Sequence, residues 1–284
     1  MNDKALIKKE GKTLIEKYDV SNINEITIKV DTAGICRTDI YAAENKIHTK
    51  NNLVLGHEFT GYIYESRHKN FKEGDLVVVN PIFDDLTMLG VDHDGCFANF
   101  INIHASKVFH FGNFHDLRIP AYVEPIAASL APLKSKLINK DMYGAVYGEN
   151  RIGMLTYEIM KKQGYNIIIV DKESEINDNT FDYVIETLAT TETFDRLSKI
   201  IKKNGTLIMK SRYPNYISIN FYDYVRKEIM IEPLYYHDFQ FAIDYARAHY
   251  EDFLYLLGDH YELEDWKNAF MASQSGNKKI FFKL

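Results

Sequence analysis

The sequence contains little cysteine: Cys36 and Cys96 are the only two cysteines among its 284 residues. Two cysteines cannot build a disulfide framework, and they cannot supply a structural zinc site of four cysteines. Positive charge is also in deficit, since 40 acidic residues face 34 lysines and arginines and the formal net charge is -6. This balance argues against a nucleic-acid-binding surface, so we expect no nucleic-acid partner.

Long apolar runs are missing as well. No run approaches the roughly 20 residues that a membrane-spanning helix needs. The first residues, M-N-D-K-A-L-I-K-K-E, contain no apolar signal core. We therefore expect no membrane partner and a cytoplasmic location. The hydrophobic content of 46% excludes wholesale disorder, and the length allows two packed domains.

The first part of the chain has the periodicity of β-strands. Residues 1–30 alternate apolar and polar positions, as in N-E-I-T-I-K-V, which predicts mostly antiparallel strands. Gly56 and Gly61 interrupt the strand-like segment L-V-L-G-H-E-F-T-G-Y-I-Y-E. Glycines inside a strand indicate close backbone approach or a bulge. This part of the chain is expected to form an irregular β domain.

The pattern changes at the Ala-rich helical segment V-E-P-I-A-A-S-L-A. A strand, a glycine-containing turn, an amphipathic helix ending at Gly164 and a second strand follow, and this βαβ order predicts a parallel sheet. Three further strands are expected at 181–187, 205–210 and 228–234, and a helix ending at Gly205 is expected between the first two. Residues 238–257 and 262–272 are predicted to be helices. The overall prediction is an α/β fold.

Two short segments concentrate metal-binding side chains. G-I-C-R-T-D-I-Y contains Cys36, and L-G-H-E-F-T-G contains His57 and Glu58. A thiolate, an imidazole and a carboxylate are ligands that zinc prefers, and a catalytic zinc keeps one position open for substrate or water. The third ligand is expected to be Glu58 or Glu124. The structural alternatives are a buried thiol, a core histidine, and a Glu124 that only favours the helix dipole.

A nucleotide-binding turn is predicted after the first strand of the βαβ unit. The segment G-E-N-R-I-G resembles the dinucleotide fingerprint G-x-G-x-x-G, with asparagine in place of the middle glycine. Asparagine tolerates positive φ, although its side chain occupies room that a pyrophosphate would use. A carboxylate at Asp171 can bind an adenosine ribose and would repel a 2′-phosphate, so we expect NAD rather than NADP. The predicted cofactor-binding residues here are Gly148, Asn150, Arg151, Ile152, Gly153 and Asp171.

These segments together resemble the zinc-dependent medium-chain dehydrogenase/reductase superfamily, in its polyol (sorbitol-like) and threonine dehydrogenase branch. The matching segments run from about residue 10 to the C-terminus, and they include G-I-C-R-T-D, L-G-H-E-F-T-G, F-K-E-G-D-L-V-V-V-N-P, D-G-C-F-A-N-F, V-E-P-I-A-A-S, F-D-Y-V-I-E-T and L-E-D-W-K-N-A-F. The resemblance implies a GroES-like, β-rich catalytic domain over 1–134 and 237–284. It also implies an inserted Rossmann nucleotide-binding domain, with a doubly wound parallel sheet, over 135–236.

The resemblance also assigns roles to residues. It implies that Cys36 and His57 bind the zinc, with Glu58 or Glu124 completing the ligand set. Thr38 matches the hydroxyl residue that passes the substrate proton outward. Tyr41 stands where many relatives have a relay histidine, and Arg37 matches a position that reaches the cofactor pyrophosphate. The family often forms dimers or tetramers through its last Rossmann strand, so a homo-oligomer is expected.

Two departures from the family pattern predict the number of zinc ions and the number of strands in the parallel sheet. The lobe with four close cysteines is absent, because N-P-I-F-D-D-L-T-M-L-G-V-D-H-D-G bridges its position directly; we therefore expect one catalytic zinc per chain. Only nine residues separate Asp171 from Phe181, where the family has a helix and a strand. The parallel sheet is therefore expected to have about five strands, with the strand before Asp171 at its edge.

The sequence thus predicts a zinc-dependent oxidoreductase that transfers a hydride between a nicotinamide cofactor and a small alcohol, polyol or sugar-derived substrate. We expect Tyr41, Phe83, His93, Tyr122 and Glu124 to line the substrate pocket. One alternative is a degenerate zinc protein with weak or no cofactor binding, which would act in binding or assembly. A zinc-free quinone or enoyl reductase is disfavoured, because those enzymes lack the Cys-His-Glu set.

Overall fold

The computed structural model describes residues 2–20, 25–213 and 215–284. They fall into two compact units, the first formed by Met1–Glu124 with Phe239–Leu284 and the second by Pro125–Asp238. The catalytic domain that we predict over 1–134 and 237–284 would also include residues 125–134 and 237–238, which lie in the second unit.

The strands are short and lie in both units. In chain order they are β1 (Asn2–Lys9), β2 (Lys12–Asp19), β3 (Ile26–Gly34), β4 (Leu53–Val54), β5 (Glu58–Ser66), β6 (Leu76–Val79), β7 (Phe100–Ile103), β8 (Val108–His110), β9 (Tyr143–Tyr147), β10 (Asn166–Val170), β11 (Phe181–Glu186), β12 (Ile201–Met209), β13 (Met230–Pro233), β14 (Leu257–Glu262) and β15 (Lys279–Lys283).

Eight α-helices connect these strands in the described part of the chain. They are α1 (Arg37–Ala43), α2 (Arg118–Ala121), α3 (Val123–Leu130), α4 (Arg151–Lys162), α5 (Thr191–Ile200), α6 (Tyr222–Arg226), α7 (Phe239–His249) and α8 (Trp266–Ser275). Short 3₁₀ helices lie at Ala105–Lys107, Ala131–Lys134, Tyr250–Leu256 and Leu263–Asp265.

The first unit is the predicted irregular β domain. Its larger sheet has the order β14-β15-β3-β5-β6-β8, with β7 also paired to β3, and a smaller sheet has the order β2-β1-β4. All these pairings are antiparallel except that of β14 with β15. In β3 the side chains of Ile26, Ile28 and Val30 are fully buried, as expected for the core face of a strand with period-two alternation.

Glycines allow the close backbone approaches predicted in this unit. A Cβ atom on Gly61 would lie 2.2 Å from the Lys29 carbonyl oxygen, across the β3–β5 pair. Gly56 has φ +95 and packs against the ring of Phe97. Both positions therefore exclude larger residues, because a side chain would displace backbone or core atoms.

The second unit contains the predicted parallel sheet. Its order is β10-β9-β11-β12-β13, every pairing is parallel, and five strands are present. The shortened sheet and the edge position of β10 are thereby confirmed. Gly164, with φ +84, follows the end of α4 as predicted.

One element prediction is wrong. The helix expected to end at Gly205 ends at Ile200, because β12 begins at Ile201 and runs through the glycine. The helices expected over 238–257 and 262–272 correspond to α7 with the 3₁₀ helix that follows it and to α8. The strand between them, β14, is not predicted, and it pairs in parallel with β15. The D-H-Y-E sequence of β14 lacks a long β-branched run, so its strand state depends on a partner distant in sequence. None of the helices described is long and apolar enough to cross a membrane.

The core of the first unit can be tested at Phe282. This ring is fully buried and packs edge-on against Phe97 at a centroid distance of 4.9 Å. Replacing it with alanine should reduce the free energy of unfolding by about 3–5 kcal/mol, because a large core cavity is left. Denaturant titration followed by the fluorescence of Trp266, the single tryptophan, reports on this unit. Met271→Ala, at a side chain that is 57% exposed, is the control and should change the free energy of unfolding little. Equal losses of stability in the two variants would contradict the role of Phe282 in the core.

Candidate functional site

Three of the four predicted metal ligands, Cys36, His57 and Glu58, lie at adjoining ends of β3, α1 and β5. Cys36 immediately precedes α1, and its backbone N–H donates to Oδ2 of Asp39 at 2.8 Å. Glu58 begins β5 directly after His57, and β5 pairs with β3 so that Glu58 lies opposite Gly34. This register places the loop after β3, which contains Cys36, beside the start of β5.

The side chains of Cys36, His57 and Glu58 form one cluster. Their candidate ligand atoms all lie within 4.8 Å of one another, and no other group of this kind is found in residues 2–20, 25–213 and 215–284. His57 and Glu58 are each 1% exposed, and Cys36 is partly buried. A thiol, an imidazole and a carboxylate gathered at this spacing fit a zinc ion.

Asp39 orients the imidazole of His57. Nδ1 of His57 lies 3.0 Å from Oδ1 of Asp39, and both side chains are buried. Nε2 lies 4.0 Å from Oε1 of Glu58, so this second nitrogen faces the cluster. A carboxylate beside one ring nitrogen is the usual support of a metal-binding histidine. Asp39 has no predicted role at the metal centre, although its position three residues after Cys36 is that of a helix-capping acid.

Lys279 provides a positive charge that compensates the buried carboxylate of Glu58. Its ammonium group contacts Oε2 of Glu58, and the two side chains are 5% and 1% exposed. Gly34 leaves room for the pair, because a Cβ atom there would lie 2.8 Å from both Glu58 Oε2 and Lys279 Cε. Lys279 is not among the predicted site residues, because it is distant from Glu58 in the sequence and no local motif marks it.

The cluster shifts the pKa values of its members. Burial raises the pKa of Cys36, but His57 and Lys279 outweigh burial and lower it to about 6. Burial raises the pKa of Glu58 to about 7, and Lys279 offsets this only in part. Burial lowers the pKa of His57, whereas Asp39 and the Cys36 thiolate together raise it well above its ordinary value. The surroundings of Cys36 therefore favour the thiolate, which is the form that binds metals.

The remaining predicted residues of the first unit differ in burial, and Thr38 contacts the cluster. Oγ1 of Thr38 is 3.8 Å from Sγ of Cys36. Tyr41 follows three residues later on α1, is partly buried, and has the Lys46 ammonium 5.8 Å from its ring centroid. Arg37 is exposed at the first position of α1. Glu124 is buried in the first turn of α3 and lies outside the three-residue cluster.

Two residues expected at the substrate pocket line a different cavity. Phe83 and His93, whose rings lie 4.4 Å apart, border a cavity of about 480 Å³ together with Tyr18 and Asp94. None of the candidate metal ligands lines this cavity. Tyr122 is fully buried, with the Lys279 ammonium 6.0 Å from its ring centroid, so it packs in the interior.

The predicted nucleotide-binding turn connects β9 with α4 in the second unit. Gly148 has φ +115, and a Cβ atom on Gly153 would lie 1.9 Å from the Gly148 carbonyl oxygen. Both glycines are therefore required by the turn. Asn150 does not use the positive φ that asparagine tolerates, because its φ is -117 and its ψ is 171, an ordinary extended conformation. Arg151 and Ile152 are the first two residues of α4 and are half-buried.

Asn150 instead caps the helix. Its Oδ1 accepts hydrogen bonds from the backbone N–H groups of Ile152 and Gly153, at 3.1 and 3.2 Å. Its Nδ2 donates to the carbonyl oxygen and to Oγ1 of Thr187, both at 3.1 Å. A side-chain oxygen bonded to the second and third N–H groups of a helix is the standard N-cap. The two glycines fit a dinucleotide here, and the Asn150 amide is the one group that does not.

Asp171 directly follows β10, the edge strand, and is half-buried. Its Oδ1 accepts from the Glu173 N–H at 3.0 Å and from the Ser174 hydroxyl at 2.9 Å. These bonds close a turn after the strand and fix the carboxyl group. The position at a carboxyl end of a parallel sheet is the one where dinucleotide-binding acids lie.

The chain is similar in sequence to alcohol and polyol dehydrogenases. Residues 22–113 match the family described as alcohol dehydrogenase GroES-like domain. (R,R)-butanediol dehydrogenase of Bacillus subtilis (strain 168) is 26% identical over 209 residues, which are 64% of this chain and 60% of that protein. Sorbitol dehydrogenase of Halalkalibacterium halodurans is 27% identical over 192 residues, 58% of this chain and 55% of that protein. The matched region thus spans less than two thirds of these relatives.

The fold is also that of solved dehydrogenases. A protein of Sinorhizobium meliloti 1021, described as a zinc-binding dehydrogenase and bound to NADP, superposes with a TM-score of 0.89 at 18% identity. The similarity covers 100% of both chains. At this identity the likeness establishes the fold and nothing finer.

The buried charge pair can be tested at Lys279. Changing it to methionine leaves Glu58 buried without its counter-charge, so the free energy of unfolding should fall by about 3–5 kcal/mol. Lys283→Met is the matched control, because Lys283 pairs with Asp31 at 2.6 Å but is 48% exposed; its loss should cost less than about 1 kcal/mol. Trp266 fluorescence in urea measures both. Similar small losses in the two variants would contradict the role given to Lys279.

The two cysteines offer a matched test of metal binding. Cys36→Ala should remove most of the zinc from the purified protein, because a thiolate ligand is lost. Cys96→Ala should retain it, since Cys96 is fully buried in the core and lies outside the cluster. Elemental analysis gives zinc per chain, with circular dichroism to check folding. Equal zinc contents in the two folded variants would rule out this centre.

Proposed function

We propose that this chain, which belongs to the zinc-type medium-chain dehydrogenase/reductase superfamily, is a zinc-dependent dehydrogenase that moves a hydride between an alcohol or polyol and a nicotinamide cofactor. The observation that carries the proposal is the buried cluster of Cys36, His57 and Glu58, with ligand atoms within 4.8 Å of one another. The butanediol and sorbitol dehydrogenases that match the chain support the substrate class.

Three side chains at a time would hold the metal, from four candidates. Cys36 and His57 are the two constant ligands in this proposal, and Glu58 or Glu124 is the third. A bound zinc ion would supply Lewis acidity that lowers the pKa of a substrate hydroxyl group. Lys279 contacts Oε2 of Glu58, which leaves Oε1, 4.0 Å from Nε2 of His57, available to a metal ion.

Thr38 is proposed to move the proton of the substrate hydroxyl. Its Oγ1 lies 3.8 Å from Cys36 Sγ, so a substrate oxygen near the ligand cluster would be within its reach. A hydroxyl group both accepts and donates, so Thr38 can take one proton and release another. Tyr41 lies three residues further on α1 and therefore on the same helix face. Its phenol group is the next proposed carrier toward solvent.

The second unit is proposed to bind the cofactor through the turn formed by Gly148, Arg151, Ile152 and Gly153, and through the carboxylate of Asp171. The nicotinamide ring, when bound, would accept or donate the hydride. NAD is preferred to NADP in this proposal, because the Asp171 carboxylate would repel a 2′-phosphate. The NADP bound by the Sinorhizobium meliloti protein is a property of that protein.

A homo-oligomer, a dimer or a tetramer, is part of the proposal. Strand β13 ends the parallel sheet, and its residues Met230 and Ile231 are 45% and 39% exposed. An open strand edge with apolar side chains is suited to pairing with a second copy. The alternative of a non-catalytic binding protein has no support from the relatives named above, which are dehydrogenases.

Thr38 provides the test of the mechanism. Thr38→Ala should lower turnover by about 10²–10⁴-fold, because the proton carrier is lost, while zinc content stays unchanged. Thr38→Ser keeps the hydroxyl group and should retain most of the activity. The assay is NAD reduction with (R,R)-2,3-butanediol and with sorbitol. Undiminished turnover in folded, zinc-loaded Thr38→Ala would exclude this role, and failure of the zinc-loaded natural protein to reduce NAD with any alcohol would exclude the proposed function.

A further inference from the structure

The amide of Asn150 is held from both sides in the nucleotide-binding turn. Oδ1 accepts from two N–H groups of α4, and Nδ2 donates twice to Thr187. Thr187 is itself fixed, because its N–H and its hydroxyl both donate to the Tyr147 carbonyl oxygen at 3.0 Å. The side chain therefore connects the ends of two neighbouring strands, β9 and β11, to the start of α4.

The two N–H groups that Asn150 occupies are the ones a phosphate would use. The first N–H groups of an α-helix have no partner within the helix. In dinucleotide-binding turns they point at the pyrophosphate, and the middle glycine lets that group approach the backbone. Here the N–H groups of Ile152 and Gly153 are already bonded to the Asn150 carboxamide oxygen.

We propose that the Asn150 side chain is an internal occupant of the pyrophosphate position and sets the affinity of this chain for diphosphate-containing nucleotides. A dinucleotide must displace the amide and break its bonds to Thr187 before the helix can bind the diphosphate. The affinity for NAD is therefore lower than the same turn would give with glycine at position 150. This inference rests on the proposed function, because it concerns the cofactor that the second unit is proposed to bind.

A glycine can replace Asn150 without changing the turn. The backbone at this position is extended, with φ -117 and ψ 171, a conformation open to any residue. Removing the amide leaves the N–H groups of Ile152 and Gly153 free for a ligand. Asn150→Gly should therefore bind NAD roughly tenfold more tightly or better, since the freed N–H groups can donate hydrogen bonds to a charged diphosphate.

The ligand series identifies the group responsible. NAD and ADP-ribose both contain the diphosphate, so their dissociation constants should fall together in Asn150→Gly. Adenosine lacks the diphosphate and should bind both proteins equally. Isothermal titration of the zinc-loaded proteins measures these constants without any need for turnover. Asn150→Ala removes the same amide, and it should shift NAD binding in the same direction if the glycine variant does not fold.

A matched control is available in the same unit. The Asn139 side chain accepts one backbone hydrogen bond, from the Asp141 N–H at 3.0 Å, in an exposed turn. Asn139→Gly should leave NAD affinity unchanged. Equal NAD affinities of the natural protein and the Asn150 variants would overturn the inference and leave the proposed function standing. If neither the natural protein nor the variants bind NAD, both the inference and the proposed cofactor are wrong.

Discussion

The compensation of buried charge is the constraint on which the candidate metal centre depends. Two carboxylates, an imidazole and an ammonium group lie within the first unit at 5% side-chain exposure or less: Asp39 and Glu58 each at 1%, His57 at 1% and Lys279 at 5%. An uncompensated charge at such depth costs several kcal/mol. Each carboxylate therefore has a partner, Asp39 beside His57 and Glu58 beside Lys279. The register of β3 with β5 and of β15 with β3 provides these contacts. The pairing of the strands in the larger sheet therefore determines which charged side chains meet at the site.

The parts of the site close together in sequence could be predicted, and the distant parts could not. Cys36 and Thr38 share one loop, and His57 and Glu58 are adjacent, so ligand types and spacing alone indicated a metal centre. Lys279 reaches Glu58 only because β15 pairs with β3, and no local pattern marks that partnership. The same reason explains the missed strand β14, whose state depends on β15. Gly205 was misjudged because a glycine after basic helical residues resembles a helix end, whereas its position in β12 is set by the sheet.

The second unit follows the predicted topology more closely than the predicted chemistry. The short connection between Asp171 and Phe181 correctly indicated five strands with β10 at the edge. The sequence also showed that an asparagine replaces a glycine in the turn, but it could not show where the amide points. In the structure the amide satisfies the helix and the neighbouring Thr187 together. A residue that was interpreted as a tolerated substitution is thus a structural part of the turn, with consequences for whatever anion the helix binds.

The central claim is that Cys36 and His57 bind a catalytic zinc ion. Its most direct test is a crystal structure of the purified protein with diffraction data collected on both sides of the zinc absorption edge. If Cys36 and His57 bind zinc, each chain should show one anomalous peak, about 2.3 Å from Sγ of Cys36 and about 2.0–2.1 Å from Nε2 of His57. A glutamate oxygen, from Glu58 or Glu124, should lie about 2.0–2.2 Å from the same peak. A zinc-replete crystal with no anomalous peak at Cys36 and His57, or with its zinc bound elsewhere, would contradict the claim.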